Sequence, residues 1–138
     1  MTIKLATEQE KKEIIQFFNK YLDITNDAIT CEEFLCPFGV SSAIKRKQVI
    51  VAMNDFGEII ASVRFYPRKR DNIVSVYQFA IDEKFRGQSV LKKMLIATNY
   101  KNFEVLCPLN SGFNKYYEKT NWSLKKKDKK FNVWNLSV

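Results

Sequence analysis

The stretch Phe79 to Leu95, FAIDEKFRGQSVLKKML, constrains the fold more than any other part of the chain. It begins at the end of an apolar run, residues 73–81, and crosses a polar segment that contains Gly87. Apolar residues then recur at helical spacing: Val90, Leu91, Met94 and Leu95. This pattern predicts a strand that leads into a helix through a tight turn. Because a helix N-terminus presents unbonded N–H groups and a positive dipole end, the turn predicts an anion site, with Arg86 beside it as a permanent cation.

The turn itself resembles a known motif. Residues 86–91, RGQSVL, resemble the Arg/Gln-x-x-Gly-x-Gly/Ala turn of the GCN5-related N-acetyltransferase (GNAT) superfamily. Arg86 matches the first position, whereas Ser89 and Leu91 stand where that family has Gly and Gly or Ala. The family binds the pyrophosphate of acetyl-coenzyme A on the backbone amides of this turn. The resemblance therefore implies these cofactor-binding residues: Arg86, Gly87, Gln88, Ser89, Val90 and Leu91.

A second segment, Asn110 to Trp122, resembles a later helix of the same family. The family pattern is an Asn followed by an aromatic-Tyr-Glu-Lys-Leu-Gly-Phe run, and residues 116–119, YYEK, fit it. Thr120, Asn121 and Trp122 replace Leu-Gly-Phe, and Asn at 121 tolerates the left-handed conformation of a helix C-cap. The resemblance implies that Asn110 contacts the pantetheine arm of the cofactor or its surroundings.

Tyr117 is the candidate catalytic residue of this segment. In the resembled family, the tyrosine at its position protonates the coenzyme thiolate as an amine attacks the thioester. Adjacent residues on a helix point about 100° apart, so Tyr116 and Tyr117 are not expected to face the cleft together. The alternative is that Tyr117 packs in the core, as Phe113 is expected to do.

The resemblance further implies that a backbone N–H of the fourth strand stabilises the thioester oxygen, at Phe79, Ala80 or Ile81. Many family members carry a glutamate on that strand as general base, but here the neutral Tyr77 and Gln78 occupy its neighbourhood. Asp82 and Glu83 follow at the strand end. We expect them to cap or solvate the turn, which leaves the general base unassigned.

The residue types exclude several other chemistries. The chain contains no histidine, which excludes Ser-His-Asp and Cys-His catalysis and any His-ligated metal. Three cysteines, Cys31, Cys36 and Cys107, lack the spacing of a zinc site or a disulfide framework. We expect no metal cofactor, and acetyl-coenzyme A as co-substrate. At 138 residues, the chain is expected to form one domain, residues 1–138.

The formal net charge of +8 favours anionic ligands or partners. Much of the excess lies in clusters at residues 45–47, 68–70 and 125–130. We expect these clusters to lie in solvated turns and strand ends, with a nucleic-acid surface as the alternative. No apolar run reaches the length of a membrane-spanning helix, and the N-terminus lacks the apolar core of a signal peptide. These features predict a cytoplasmic protein without a membrane partner.

The element order predicts the fold class. We expect a strand, a helix, a second short helix, three strands, a helix, a strand, a helix and two closing strands. This is an α/β (α+β mixed sheet) architecture of the GNAT-like type: a central, mostly antiparallel sheet flanked by helices, with a parallel fourth/fifth strand pair. The order matches the resembled family over nearly the whole chain.

Four local expectations accompany this order. Thr7 and Glu10 form a capping box for a first helix that ends near Asp23. Residues 32–35 form the short helix, which residues 36–39 break. Phe34 and Phe38 line an acceptor pocket or, as the favoured alternative, pack against the sheet. The closing strand, residues 132–138, is an exposed edge that would allow a homodimer.

These observations predict an acetyl-coenzyme A-dependent N-acetyltransferase that acts on a primary amine of a small molecule or peptide. The first alternative is a non-catalytic GNAT-fold protein that binds coenzyme A or acts as a sensor or interaction protein. The second is a basic nucleic-acid-binding module. The acceptor substrate is not predicted.

Overall fold

The computed structural model describes residues 1–21 and 36–138. These residues form a seven-stranded sheet with strand order β1-β2-β3-β4-β5-β7-β6. The strands are β1 (Thr2–Leu5), β2 (Val49–Met53), β3 (Ile59–Pro67), β4 (Val74–Ile81), β5 (Asn102–Pro108), β6 (Ser123–Lys127) and β7 (Phe131–Ser137). The helices are α1 (Lys11–Tyr21), α2 (Pro37–Lys45), α3 (Val90–Ala97) and α4 (Phe113–Lys119). The predicted element order and mixed-sheet class are confirmed, and no helix in the described ranges is long and apolar enough to cross a membrane.

The first helix begins as predicted. The Glu10 carboxylate accepts hydrogen bonds from the Thr7 N–H at 3.4 Å and the Thr7 hydroxyl at 2.8 Å. A 3-10 turn, Glu8–Glu10, precedes α1. The expected helix end near Asp23 lies outside the described residues, as do the short helix expected at residues 32–35 and the side chain of Phe34.

Residues 36–39 were expected to be a break, but only Cys36 is non-helical, and residues 37–39 belong to a helix. Cys36 is the N-cap of α2 and Pro37 its first residue, a position where proline is favoured because its missing N–H would be unbonded anyway. Phe38 is 86% exposed, so it does not pack against the sheet as the favoured expectation held. The buried face of α2 instead carries Val40, Ala43 and Ile44.

Two apolar clusters cover the two faces of the sheet. The larger cluster joins β2–β5 and β7 to α3 and α4, and its largest fully buried members include Phe103, Met94 and Leu95. The smaller cluster joins α1 and α2 to β2 and β4 through residues such as Phe18 and Val51. The sheet therefore separates an α3/α4 face from an α1/α2 face.

β4 and β5 are parallel, as predicted, but they pair over only two positions, Val74 with Phe103 and Ser75 with Glu104. An ion pair lies at the end where the two strands pair: Arg68, which follows β3, donates from its Nη1 to Glu104 Oε1 on β5 at 2.8 Å. Beyond Ser75 the two strands separate. In the same region β4 contains a bulge, since Arg64 pairs with Gln78 and Phe65 with Val76, which leaves Tyr77 as an extra residue.

The predicted edge strand is wrong. β7 lies inside the sheet between β5 and β6, so residues 132–135 are paired on both sides and residues 136 and 137 are paired with β5. The edge is β6, whose five residues are all exposed and include Lys125, Lys126 and Lys127. Charged edge strands resist strand addition. A homodimer built by edge pairing would use β6 or β1. The homodimer itself stays a prediction.

Candidate functional site

The separation of β4 from β5 exposes backbone donors along one edge of β4. The Asp82 N–H donates to Ile60 O on β3 at 2.9 Å. Because successive N–H groups of a strand point to opposite sides, the Ala80 N–H also points towards β3. The N–H groups of Phe79 and Ile81 then point towards the gap where β5 has diverged. Of the three residues predicted to hold an oxyanion donor, Phe79 and Ile81 have the required orientation.

A tight turn connects this open edge to α3. The Asp82 carboxylate accepts a hydrogen bond from the Lys84 N–H at 3.0 Å, and a 3-10 turn follows at Glu83–Phe85. Arg86 Nε donates to Ile81 O at 3.2 Å, which anchors the turn to the end of β4. Gly87 has φ of 79°, a left-handed conformation that glycine adopts at no steric cost.

The turn leaves a continuous row of backbone donors unbonded. Within the described part of the chain, the N–H groups of residues 87–92 donate to no carbonyl or side-chain acceptor, and the first helical bond runs from the Lys93 N–H to Ser89 O. Such a row at a helix N-terminus is a site for phosphate groups. The residues therefore fit the pyrophosphate that the sequence motif implies.

Ser89 and Leu91, the two departures from the family motif, have different structural consequences. Ser89 is the N-cap of α3 with φ of 58°, and its hydroxyl makes no capping hydrogen bond. A left-handed N-cap explains why glycine is the family residue there. α3 begins at Val90, directly after this residue. Leu91 is buried in the large cluster, so its side chain does not occupy the donor row.

A cleft of about 190 Å³ lies between the start of α3 and the end of α4. Ser89 and Lys92 form its α3 side, and Tyr116, Lys119 and Asn121 form its α4 side. Asn121, directly after the C-cap residue Thr120, has φ of 69°, the left-handed conformation predicted for it. Two lysines beside an unbonded helix N-terminus give the cleft a positive potential, which suits a phosphorylated ligand.

An aromatic cluster borders the open part of β4 on the α3/α4 face. The Phe79 ring lies 5.9 Å from Phe113, 5.8 Å from Tyr116 and 6.3 Å from Tyr117, measured between ring centroids. Tyr117 is 4% exposed and also contacts Trp122 at 5.3 Å, whereas Phe113 is 38% exposed. The expected burial of Phe113 in the core is therefore wrong, whereas Tyr117 is buried in the larger cluster, and the rings of both tyrosines contact Phe79 of β4.

Two titratable groups near the turn have shifted pKa values. Burial raises the pKa of Tyr116 above its ordinary value, so this phenol keeps its proton at neutral pH. The hydrogen bond from the Lys84 N–H lowers the pKa of Asp82, and burial opposes it only in part. A carboxylate held in its ionised form by a cap is a weak general base, in line with the expected capping role.

Asn114, which the sequence patterns did not single out, fixes α4 against the sheet. Its Nδ2 donates to Pro108 O at 2.9 Å, Leu109 O at 3.3 Å and Ser111 O at 3.0 Å. Its Oδ1 accepts from Asn132 Nδ2 and Trp134 Nε1, each at 3.0 Å. Asn114 thereby positions the helix that carries Tyr117. A lone Asn within a helix gave no sequence signal for this role.

Asn110 lies in the exposed turn between β5 and α4. The next residue, Ser111, accepts a hydrogen bond from the Phe113 N–H at 3.2 Å, although Gly112 is the N-cap residue. The structure thus places Tyr117 against Phe79 on the open part of β4, and residues 86–91 in the connection from the end of β4 to the start of α3.

The whole chain is similar to solved acetyltransferase structures. The PaiA N-acetyltransferase of Thermoplasma acidophilum, in complex with coenzyme A, has a TM-score of 0.78 at 12% identity, over 99% of this chain and 98% of that one. A GNAT family acetyltransferase of Listeria monocytogenes has a TM-score of 0.73 at 13% identity, over 99% and 94%. The GNAT family protein YhbS of Escherichia coli, in complex with CoA, has a TM-score of 0.66 at 15% identity, over 99% and 80%.

No protein-family sequence model matches the chain, and the comparison with curated proteins finds no relative. The chain has the fold of the GNAT superfamily of N-acetyltransferases.

Proposed function

We propose that the protein is an acetyl-coenzyme A-dependent N-acetyltransferase that acts on a primary amine. The observation that carries this proposal is the row of unbonded N–H groups at residues 87–92, in the turn and first helical residues that follow the open end of β4. Solved proteins of the same fold are in complex with coenzyme A, which supports the choice of ligand. The row would hold the pyrophosphate, while Lys92 and Lys119 would bind a further phosphate in the adjacent cleft.

Acetyl-coenzyme A supplies an acetyl group activated as a thioester. In the transfer, a C–N bond forms to the amine as the C–S bond breaks, the amine nitrogen loses a proton and the sulfur gains one. The N–H groups of Phe79 and Ile81 would donate to the carbonyl oxygen as it gains negative charge, a contribution of about 3 kcal/mol for one such donor. Asn110 would contact the pantetheine arm.

Tyr117 would give its proton to the departing sulfur. Its ring contacts Phe79, the residue that carries one of the proposed N–H donors, so it borders the reacting group. A phenol has an ordinary pKa of about 10 and a thiol one of about 8.5, which is close enough for proton transfer within a hydrogen bond. Such a bond requires positioning of Tyr117, which Asn114 and α4 provide. Asp82 is held ionised by its cap and is not proposed as the base.

The test begins with thermal unfolding of the full chain, with and without excess acetyl-coenzyme A. Ligand at a hundred times its dissociation constant stabilises by about 2.7 kcal/mol, which we expect as an upward shift of several degrees. Release of coenzyme A thiol in an amine screen then measures turnover. No shift at millimolar coenzyme would contradict the proposal.

Tyr117→Phe tests whether Tyr117 is the general acid. It keeps the ring and removes the hydroxyl, so we expect turnover to fall by roughly a hundredfold or more while the coenzyme-dependent thermal shift is kept. Tyr116→Phe is the matched control, since it changes the neighbouring ring that lines the cleft. Equal losses in the two variants would refute a specific role for Tyr117.

A non-catalytic coenzyme-binding protein is the second candidate. One observation favours it: Asp82, the carboxylate directly after β4, is used as a cap, and the strand itself carries neutral residues at Tyr77 and Gln78. If coenzyme A clearly raises the unfolding temperature but no amine in the screen causes release of its thiol, this second candidate is supported.

A further inference from the structure

Gln78, next to the bulge of β4, is an unusual core residue. It is 7% exposed, yet neither its Nε2 nor its Oε1 has a hydrogen-bond partner among the described residues. An amide removed from water without a partner costs free energy, and buried polar side chains are nearly always bonded. A side chain that keeps one donor and one acceptor unused inside a protein is therefore suited to meet a ligand that supplies both partners.

Arg64 lies beside Gln78. The two residues are opposite each other on the antiparallel strands β3 and β4, so their side chains project from the same face of the sheet. Arg64 is half-buried, its Nη2 donates to Gly39 O at 3.2 Å, and its guanidinium lies 5.1 Å from the centre of the Tyr77 ring. These contacts hold a cation in a fixed position next to the unpartnered amide.

The pair lies close to the proposed reaction centre, on the opposite face of the sheet from the proposed coenzyme cleft. Gln78 precedes Phe79, whose N–H points into the gap between β4 and β5. Side chains alternate along β5, so Leu106 projects on the face opposite Phe103 and Cys107, which belong to the α3/α4 cluster. Tyr77 and Leu106 are 44% and 53% exposed where the strands diverge, so this face offers an accessible, partly apolar approach to the gap.

We infer that the acceptor is a small amine that also carries a carboxylate, and that Arg64 and Gln78 select it. The guanidinium and the Gln78 Nε2 would donate to the carboxylate, and the Gln78 Oε1 would accept from the amine. A cation, an amide donor and an amide acceptor complement a ligand with both an anionic group and an N–H donor. This inference rests on the proposed acetyltransferase function, and Arg64 and Gln78 are specificity-determining residues within it.

The test compares amines that differ only in the anionic group. The pairs are L-lysine with cadaverine and L-tyrosine with tyramine, with phosphoethanolamine against ethanolamine as a separate arm for phosphate. We expect kcat/KM to favour the carboxylated member by about tenfold or more, the range of a hydrogen-bonded charge. A preference confined to phosphoethanolamine, or no preference in any pair, would overturn the inference.

Substitutions at the two residues separate recognition from folding. Gln78→Met replaces the amide with an apolar chain of similar length, so we expect an unchanged or higher unfolding temperature together with loss of the carboxylate preference. A structural role would give the opposite result, a lower unfolding temperature with the preference kept. Arg64→Lys keeps the charge but not the fork geometry, and we expect KM for the carboxylated amine to rise roughly tenfold with little change in kcat.

Binding measurements distinguish this inference from the proposed function. Thermal shifts with each amine are recorded with and without coenzyme A. If coenzyme A raises the unfolding temperature but the paired amines raise it equally, the inference is refuted and the proposed function stands. Stabilisation by L-lysine or L-tyrosine but not by cadaverine or tyramine, in a protein that coenzyme A does not stabilise, supports recognition of the carboxylate and amine by Arg64 and Gln78 but refutes the acetyltransferase, and with it the role of this site as an acceptor site.

Discussion

Ser89→Gly is a substitution whose effect follows directly from backbone geometry. Ser89 has φ of 58°, a left-handed conformation that disfavours residues with a Cβ by about 1–2 kcal/mol. Glycine relieves this cost but loses about 0.4–1 kcal/mol more chain entropy on folding. Because the Ser89 hydroxyl makes no capping bond, nothing else is lost. We expect a net stabilisation of about 0.5–1 kcal/mol, or roughly 2–4 °C in unfolding temperature for a domain of this size.

Differential scanning calorimetry of the full chain would measure this shift. Ser89→Ala is the matched control, since it keeps the Cβ and removes the hydroxyl, and it should leave the unfolding temperature nearly unchanged. Asn72→Gly serves as a second control, because Asn72 has a similar φ of 57° but asparagine tolerates it better. A loss of stability in Ser89→Gly, or an equal gain in Ser89→Ala, would refute the argument from left-handed strain.

The remaining predictions concern the scaffold of the site. Glu104→Gln should lower the free energy of unfolding by roughly 1–3 kcal/mol in chemical denaturation, because the Arg68 cation then has a weaker, neutral partner where β4 and β5 pair. A double-mutant cycle with Arg68→Gln should show that the two side chains are energetically coupled. Asn114→Ala should cost roughly 2–4 kcal/mol and lower acetyl transfer, whereas Asn132→Ala, which removes a single bond to Asn114, should cost less. The pKa of Asp82 is lower in the folded state, so its contribution to stability is complete above its ordinary pKa and is lost as the pH falls through the folded value. Asp82→Asn should flatten the acid limb of a stability profile recorded between about pH 2 and pH 5, and an unchanged slope would contradict the capping role.

Local patterns predicted much of the architecture because each depends on neighbours along the chain. The capping residue Glu10, the apolar run of β4 and the helical spacing from Val90 onwards all report interactions within a few residues. The parallel β4–β5 pair followed from the helix between them, since a parallel connection needs a crossover. The predicted roles of residues 86–91 and Tyr117 came from motif resemblance, and they stay proposals for biochemical tests.

The predictions that were wrong concern features that depend on strand order or on packing between residues far apart in the sequence. Residues 132–138 were predicted to form an edge strand because they are at the end of the sequence, yet β7 lies between β5 and β6 in the sheet. Arg68 belonged to a cluster expected to be solvated, but Glu104, far away in the sequence, draws it into an ion pair at 2.8 Å. Residues 36–39 contain Pro and Gly, which predicted a break, but Pro37 is the first residue of α2, and this helix packs against α1.

The sequence alone determined that a strand, a tight turn and a helix follow one another at residues 79–95, because helical periodicity and turn chemistry are local properties. It also excluded histidine chemistry by composition. Only the tertiary structure decided that β4 carries a bulge at Tyr77 and separates from β5 after Ser75. It alone placed Arg64 opposite Gln78, since register depends on pairing between strands that no single segment encodes. The proposed acceptor site exists only through that pairing.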